Sequence, residues 1–194
     1  MKVGLVFAIA TALIGDFSGK YLAEYQPEKL AAAEWHFETK ENAELLLLGV
    51  LKDGEPKYAI KVPFGLSLLA HNNPKAEVIG LDQFPEDEIP PLYIHYLFNI
   101  MVFIGMWMVL LAAWYWIGIK RGWRSVTTKW FRWLIVLGAP LTIIAIESGW
   151  WLAEVGRQPW ILRKLMRVED AATTSGQVDL MLMLFALLYI ILGI

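Results

Sequence analysis

From Ile89 to Ile119 the chain carries no Asp, Glu, Lys or Arg. That run exceeds the roughly 20 apolar residues that cross a bilayer as one helix. In hydrocarbon, a helix is also what satisfies every backbone N–H and C=O within a single segment. Trp133 to Ala153 is a second such run, broken only by Glu147, and Val178 to Ile194 is a third, with Asp179 near its start. Val3 to Gly15 is apolar for 13 residues, too few for a crossing, and reads as part of a transmembrane helix. Hydrophobic residues make up 57% of the chain, against about 45–50% in soluble domains. These runs exclude a soluble domain and a nucleic-acid binder. With no cysteine, disulfides and thiolate metal sites are excluded too.

Charge then orients the spans. Between Asp16 and Pro91 stand 14 acids and 7 bases, a net of −7, whereas Lys120, Arg121, Arg124, Lys129 and Arg132 face no acid between them. Short basic loops stay in the cytoplasm. The expected organisation is therefore an all-α polytopic membrane bundle with a partly helical extracytoplasmic loop. It comprises a partial span over 1–15, the outer loop 16–91, a span over 92–119 and a basic cytoplasmic loop 120–132. A span over 133–154, an outer loop 155–177 and a partial span over 178–194 complete it. Met1-Lys2 before an apolar stretch also resembles a signal peptide, but Gly15-Asp16-Phe17-Ser18-Gly19 lacks a small-x-small cleavage pattern.

Within the outer segment, Glu24 to Leu51 is rich in Glu, Ala, Leu and Lys and reads as helix, with Pro27 and Glu28 suited to a first turn. Asp53-Gly54-Glu55-Pro56 reads as a turn, and Tyr58-Ala-Ile-Lys-Val62 as a short strand. His71 to Pro74 and Phe84 to Pro91 read as loop. A connection this long is usually functional or disordered, and its aromatic content argues against disorder.

Four sets of residues are candidates for chemistry. Glu147 and Glu154 are seven residues apart, about two helical turns, so they share one face of a helix. Acids at membrane depth are costly and mark sites for a proton, an ion or a metal. The spacing from Glu154 to Arg157 equally suits an i,i+3 ion pair. Met101 is a packing residue or an axial thioether ligand to iron. Lys29 and Glu34, five apart, lie about 140° from each other round a helix, so they are not an intrahelical pair; they either flank a ligand or belong to a solvated face. His36, His71 and His95 show no metal-ligand spacing and read as surface or loop histidines, with His95 at the mouth of a span.

Taken together, these blocks resemble subunit I of the cytochrome bd quinol oxidases. The matching residues are Gly15-Asp16-Phe17-Ser18-Gly19, Gln26-Pro27-Glu28-Lys29-Leu30-Ala31-Ala32-Ala33-Glu34-Trp35, and Pro91-Leu92-Tyr93 with Ile100-Met101-Val102. Glu147-Ser148-Gly149-Trp150, Glu154-Val155-Gly156-Arg157-Gln158-Pro159-Trp160 and Thr174-Ser175-Gly176 complete the set. The resemblance implies a low-spin heme b, a high-spin heme b and a heme d, with quinol oxidised at the outer surface and dioxygen reduced to water. By it, Met101 ligates the low-spin heme and Glu154 one of the high-spin pair. Lys29, Glu34 and, more weakly, Gln26 bind quinol in a short "Q-loop". Glu147, Trp150 and Arg157 surround the high-spin hemes, with Arg157 placed for a heme propionate or the ligating carboxylate. Proton release from quinol calls for a base such as Glu34, and an anionic carboxylate suits a high-spin iron.

Two departures qualify the match. The family's two heme-ligating histidines lie in earlier helices, so the chain is expected to be the C-terminal part of such a subunit and inactive alone. Asn99 stands where some members carry arginine, which leaves a propionate there without a charge partner. Further implied partners are a second oxidase subunit and lipid of a bacterial or archaeal cell membrane. Rival readings are a non-redox transporter or binding subunit relaying protons through Glu147 and Glu154, and a structural respiratory subunit without cofactor.

Overall fold

The computed structural model describes residues 2–52 and 54–193. The expected turn at Asp53 has its first residue outside them, as do the first and last expected spans at Met1 and Ile194. The chain divides into two compact units, residues 1–159 and 160–194.

The first unit is built on three helices, each long and apolar enough to cross a membrane. Helix α1 (Lys2–Tyr25) does not stop near Gly15 but continues for ten more residues. An i,i+4 pair of Asp16 and Lys20 supports that extension, and Leu22 and Ala23 pack on the core beyond it. The helix is therefore long enough to cross a membrane, where the apolar run alone is too short. The chain bends at Gln26 into α2 (Pro27–Glu34). A short α3 (Gly65–His71) precedes the long helices α4 (Ile94–Lys120) and α5 (Lys129–Val155). Thr128 caps α5, its hydroxyl accepting from the Phe131 N–H.

The pair α4 and α5 is an antiparallel hairpin. Met101 meets Gly149 and Met108 meets Gly138, so residue numbers rise along one helix as they fall along the other. At the turn, Gly118 lies against Val126, and a Cβ there would stand 2.4 Å from Val126 Cγ1. Leu111, Val126 and Phe131 fill this end. The seam is thus lined by methionine on glycine, a flexible side chain over a bare backbone.

The expected helix over Glu24–Leu51 holds only to Glu34. Trp35 leaves it in the left-handed region (φ 50°), and the His36 N–H returns to the Ala31 carbonyl at 2.8 Å. That is the Schellman stop, usually made by glycine. Tertiary contacts of the indole override the local propensity: its Nε1 donates to the Leu92 carbonyl at 2.8 Å and its ring stacks on His95. Beyond Trp35 the chain forms antiparallel ribbon. β1 (Lys40–Glu41) pairs with β6 (Glu77–Val78), β2 (Leu45–Leu47) with β5 (Ile60–Val62), and β3 (Val50–Lys52) with β4 (Glu55–Lys57). Two cores anchor this segment. Leu30, Ala43, Leu66, Ala70 and Val78 form one; Ala31, Ala32, Ala33, Leu81 and Ile94, with Leu152 and Val155, form the other.

The second unit holds a small ribbon, β7 (Trp160–Leu162) against β8 (Met166–Arg167), and the apolar α6 (Val178–Gly193).

Candidate functional site

Helix α2 carries little apolar surface beyond its alanines, yet Glu28 and Leu30 to Glu34 are all buried. Ala31, Ala32 and Ala33 are the reason. Small side chains let the helix lie close against the start of α4 at Ile94 and the end of α5 at Leu152 and Val155. The two blocks with the most sequence character, 26–35 and 147–157, are thereby brought together.

Lys29 makes the link. Its Nζ donates to the Ala153 carbonyl at 3.1 Å, one of the last carbonyls of α5, where a cation is favoured. Its methylene stem lies over Gly156, and a Cβ at 156 would stand 2.8 Å from Lys29 Cε. Burial, then the nearby Arg157, push the Lys29 ammonium below its ordinary pKa, while Glu154 opposes them. Arg157 donates to Glu154 in the expected i,i+3 pair, and both side chains are about 45% exposed. At that exposure the pair contributes at most about 1 kcal/mol. It orients Glu154 more than it stabilises the fold.

Glu34, five residues on, is different in kind. It is 1% exposed, and neither of its carboxylate oxygens has a hydrogen-bond partner among the described residues. Burial drives its pKa well above the ordinary carboxylate range. A buried polar group without a partner costs roughly 1–3 kcal/mol, so stability does not account for a carboxylate at this position.

The remaining expected residues are distributed unevenly. Met101 turns towards α5, its sulfur 2.9 Å from where a Cβ on Gly149 would stand. Gly149 therefore provides a cradle that any other side chain would fill. Glu147 and Trp150 are exposed on α5, Trp150 at 58%, the same helix that carries Glu154. Gln26 is the residue before α2, and its side chain makes no capping bond. His36 and His95 are buried rather than surface residues, whereas His71 is exposed at the end of α3. His36 Nε2 lies 3.0 Å from the Val78 carbonyl, and burial lowers its pKa. The polar roles of His95 and Asn99 are not among the sequence expectations, although two polar residues four apart in a charge-free run were a usable signal.

No cluster of three His, Asp or Glu side chains forms a metal site among the described residues. An iron here would need a porphyrin plus single protein ligands. Met101 in its glycine cradle, and Glu154 held on one side by Arg157, fit that requirement as donors. A cavity of about 350 Å³ opens elsewhere, walled by Trp35, His36, Phe37, Lys40, Glu44 and Lys61. Trp35, His36 and Phe37 follow Glu34 directly, but the charged Glu44–Lys61 pair on the cavity wall is poorly suited to an apolar ring.

The fold and the site define a helical membrane protein whose polar segment seats a buried carboxylate on the end of a helix hairpin. The chain belongs to the cytochrome bd terminal oxidase subunit I family, whose model matches residues 1–194. It is 41% identical over 200 residues to the Bacillus subtilis (strain 168) protein named "Putative cytochrome bd menaquinol oxidase subunit I". That match takes in 100% of this chain and 44% of that protein. A second protein of the same organism, "Cytochrome bd ubiquinol oxidase subunit 1", is 29% identical, again over 100% and 44%. Among solved structures, the bd oxidase from Geobacillus thermodenitrificans matches at a TM-score of 0.88 and 59% identity, covering 97% of this chain and 44% of that one. The chain thus spans less than half the length of these relatives.

Proposed function

We propose that this chain is the quinol-oxidising part of the heme-bearing subunit of a terminal oxidase, which passes electrons from quinol to dioxygen in a respiratory membrane. One observation carries the reading: Glu34 is buried and unpartnered, with its pKa raised by burial, on the helix whose Lys29 grips the end of α5 beside Glu154. Each quinol releases two protons and two electrons, and a carboxylate with a raised pKa is a good acceptor for such a proton near neutral pH. The unsatisfied oxygens of Glu34 are matched by a quinol hydroxyl, which donates one hydrogen bond and gives up its proton along it. Lys29, with its lowered pKa, holds α2 in register with α5.

Met101 would hold the low-spin heme b, and Glu154 one of the high-spin pair, the other b-type heme or heme d; bound there, the hemes supply the electron carriers and the oxygen-reducing centre. Arg157 fixes the orientation of Glu154, and Gly149 keeps the Met101 sulfur free of crowding. The polar segment that follows α1, through residue 91, faces the outside of a bacterial or archaeal cell membrane, in keeping with the basic 120–132 loop. The rest of the subunit and a second subunit complete the assembly.

The test is Glu34→Gln in the intact oxidase. Loss of a positioned base predicts quinol-driven oxygen uptake lower by at least about 100-fold, with heme absorbance unchanged. Uptake at the parental rate would contradict the reading.

A further inference from the structure

His95 and Asn99 take no part in the reading above, yet they form a well-connected polar group at the start of α4. His95 is 0% exposed and Asn99 5%. Four residues apart, they share the face of α4 that looks towards α2 and the ribbon. His95 Nδ1 lies 2.7 Å from the Ala33 carbonyl, one of the orphan acceptors in the last turn of α2. The imidazole stacks on Trp35 at 3.9 Å and 20°. Asn99 Nδ2 donates to the His95 carbonyl at 2.8 Å, and Asn99 Oδ1 accepts from the Leu48 N–H at 3.2 Å. His95 Nε2 lies 3.0 Å from Asn99 Nδ2 and 3.2 Å from the Leu48 carbonyl, serving one or the other according to where the ring proton sits.

The residue held from both sides, Leu48, is strained. It takes φ 59°, followed by Gly49 at φ 103°, in the turn between β2 and β3. A non-glycine residue in the left-handed region persists only where its surroundings impose it. The Tyr96 hydroxyl adds a third tie by accepting from the Leu51 N–H at 3.4 Å. On α4, Met101 lies about 140° round the helix from the centre of the His95–Asn99 face. The first turns of α4 are thus fixed to the ribbon on one side and to Gly149 on the other.

We propose that His95 and Asn99 are a positioning pair. They latch the Leu48–Gly49 turn and the end of α2 onto α4, and so hold the surroundings of Glu34 in place for quinol. The proposal rests on the quinol-oxidising reading for its purpose but not for the latch itself.

Two variants in the intact oxidase test it. Asn99→Ala removes the acceptor for Leu48, and His95→Phe keeps the stack on Trp35 while removing both ring hydrogen bonds. Loss of one or two buried hydrogen bonds predicts amide exchange of residues 45–52 faster by about tenfold in each variant. The same loosening predicts a quinol KM raised by about tenfold, with kcat and heme absorbance retained. Unchanged exchange would overturn the latch. Faster exchange with an unmoved KM would overturn its service to the quinol site. Should the parent oxidise no quinol, the functional reading fails, while the exchange result still decides the latch.

Discussion

The junction around α2 and the seam between α4 and α5 bury residues by opposite rules. At the junction a polar helix is enclosed: Glu34, Trp35, His36, His95 and Asn99 are all buried, and most of their polar atoms find named partners. The spans are far more apolar, yet of α4 only Ile94, His95, Asn99, Leu111, Ala112 and Gly118 are buried, and of α5 only Phe131, Gly138 and Ser148. Ile143, Ile146 and Trp133 stand more than 60% exposed. That is the arrangement expected where lipid solvates the helix flanks. Specific interactions hold the junction, and general ones hold the spans.

Truncation should separate the two regions most sharply. Trp35→Ala removes the stack on His95 and the bond to Leu92, and should cost about 3–5 kcal/mol, the range for buried aromatics. Trp133→Ala, at 67% exposed, should stay within about 0.5 kcal/mol; thermal unfolding of the two variants in matched membranes measures the difference. Equal losses would break the comparison.

A glycine pair gives the next largest contrast. A Cβ at Gly80 would stand 2.5 Å from the Glu38 carbonyl carbon and 2.6 Å from the Thr39 nitrogen, both backbone atoms, whereas Gly105 on α4 has nothing within 4 Å. Gly80→Ala should therefore destabilise by about 1–3 kcal/mol or more, and Gly105→Ala should be silent by the same assay. Lys29→Met removes the bond to Ala153 and should cost only about 1 kcal/mol. Its more telling readout is the heme absorbance of the intact oxidase, which should shift, on the proposed reading, as Glu154 and Arg157 lose their neighbour.

The last contrast is in pH dependence. Because burial raises the Glu34 pKa above its ordinary value of 4.5, the folded state binds a proton that the unfolded chain releases. Its contribution to stability is complete below pH 4.5 and declines as pH rises from there through the raised folded-state value. Glu34→Gln should flatten that part of the stability profile, measured by unfolding across pH. A slope equally steep in the variant would assign it to another group.

Legibility in the sequence divides along the same line. The spans are legible because a charge-free run is a one-dimensional signal, and Glu154 with Arg157 because an i,i+3 pair is local. The length of α1 is not, since Asp16, Lys20 and Glu24 interrupt hydropathy without interrupting the helix. Nor is the end of α2: its stop at Trp35 depends on Leu92 and His95, some sixty residues away. Glu34 is a candidate from its sequence block, but its isolation inside the protein is a fact of packing that spacing cannot express. Lys29, a candidate from the same block, also donates to the end of α5, a contact that spacing cannot express either.

On the proposed reading, quinol meets the protein at the α2 junction. Photo-crosslinking the intact oxidase with an azido-quinone, followed by mapping of the labelled peptides, locates that contact. Adducts are expected within residues 26–37 and 92–99, suppressed by excess quinol and diminished by Glu34→Gln. Adducts confined to other segments, or labelling of the junction that quinol does not suppress, would contradict that reading.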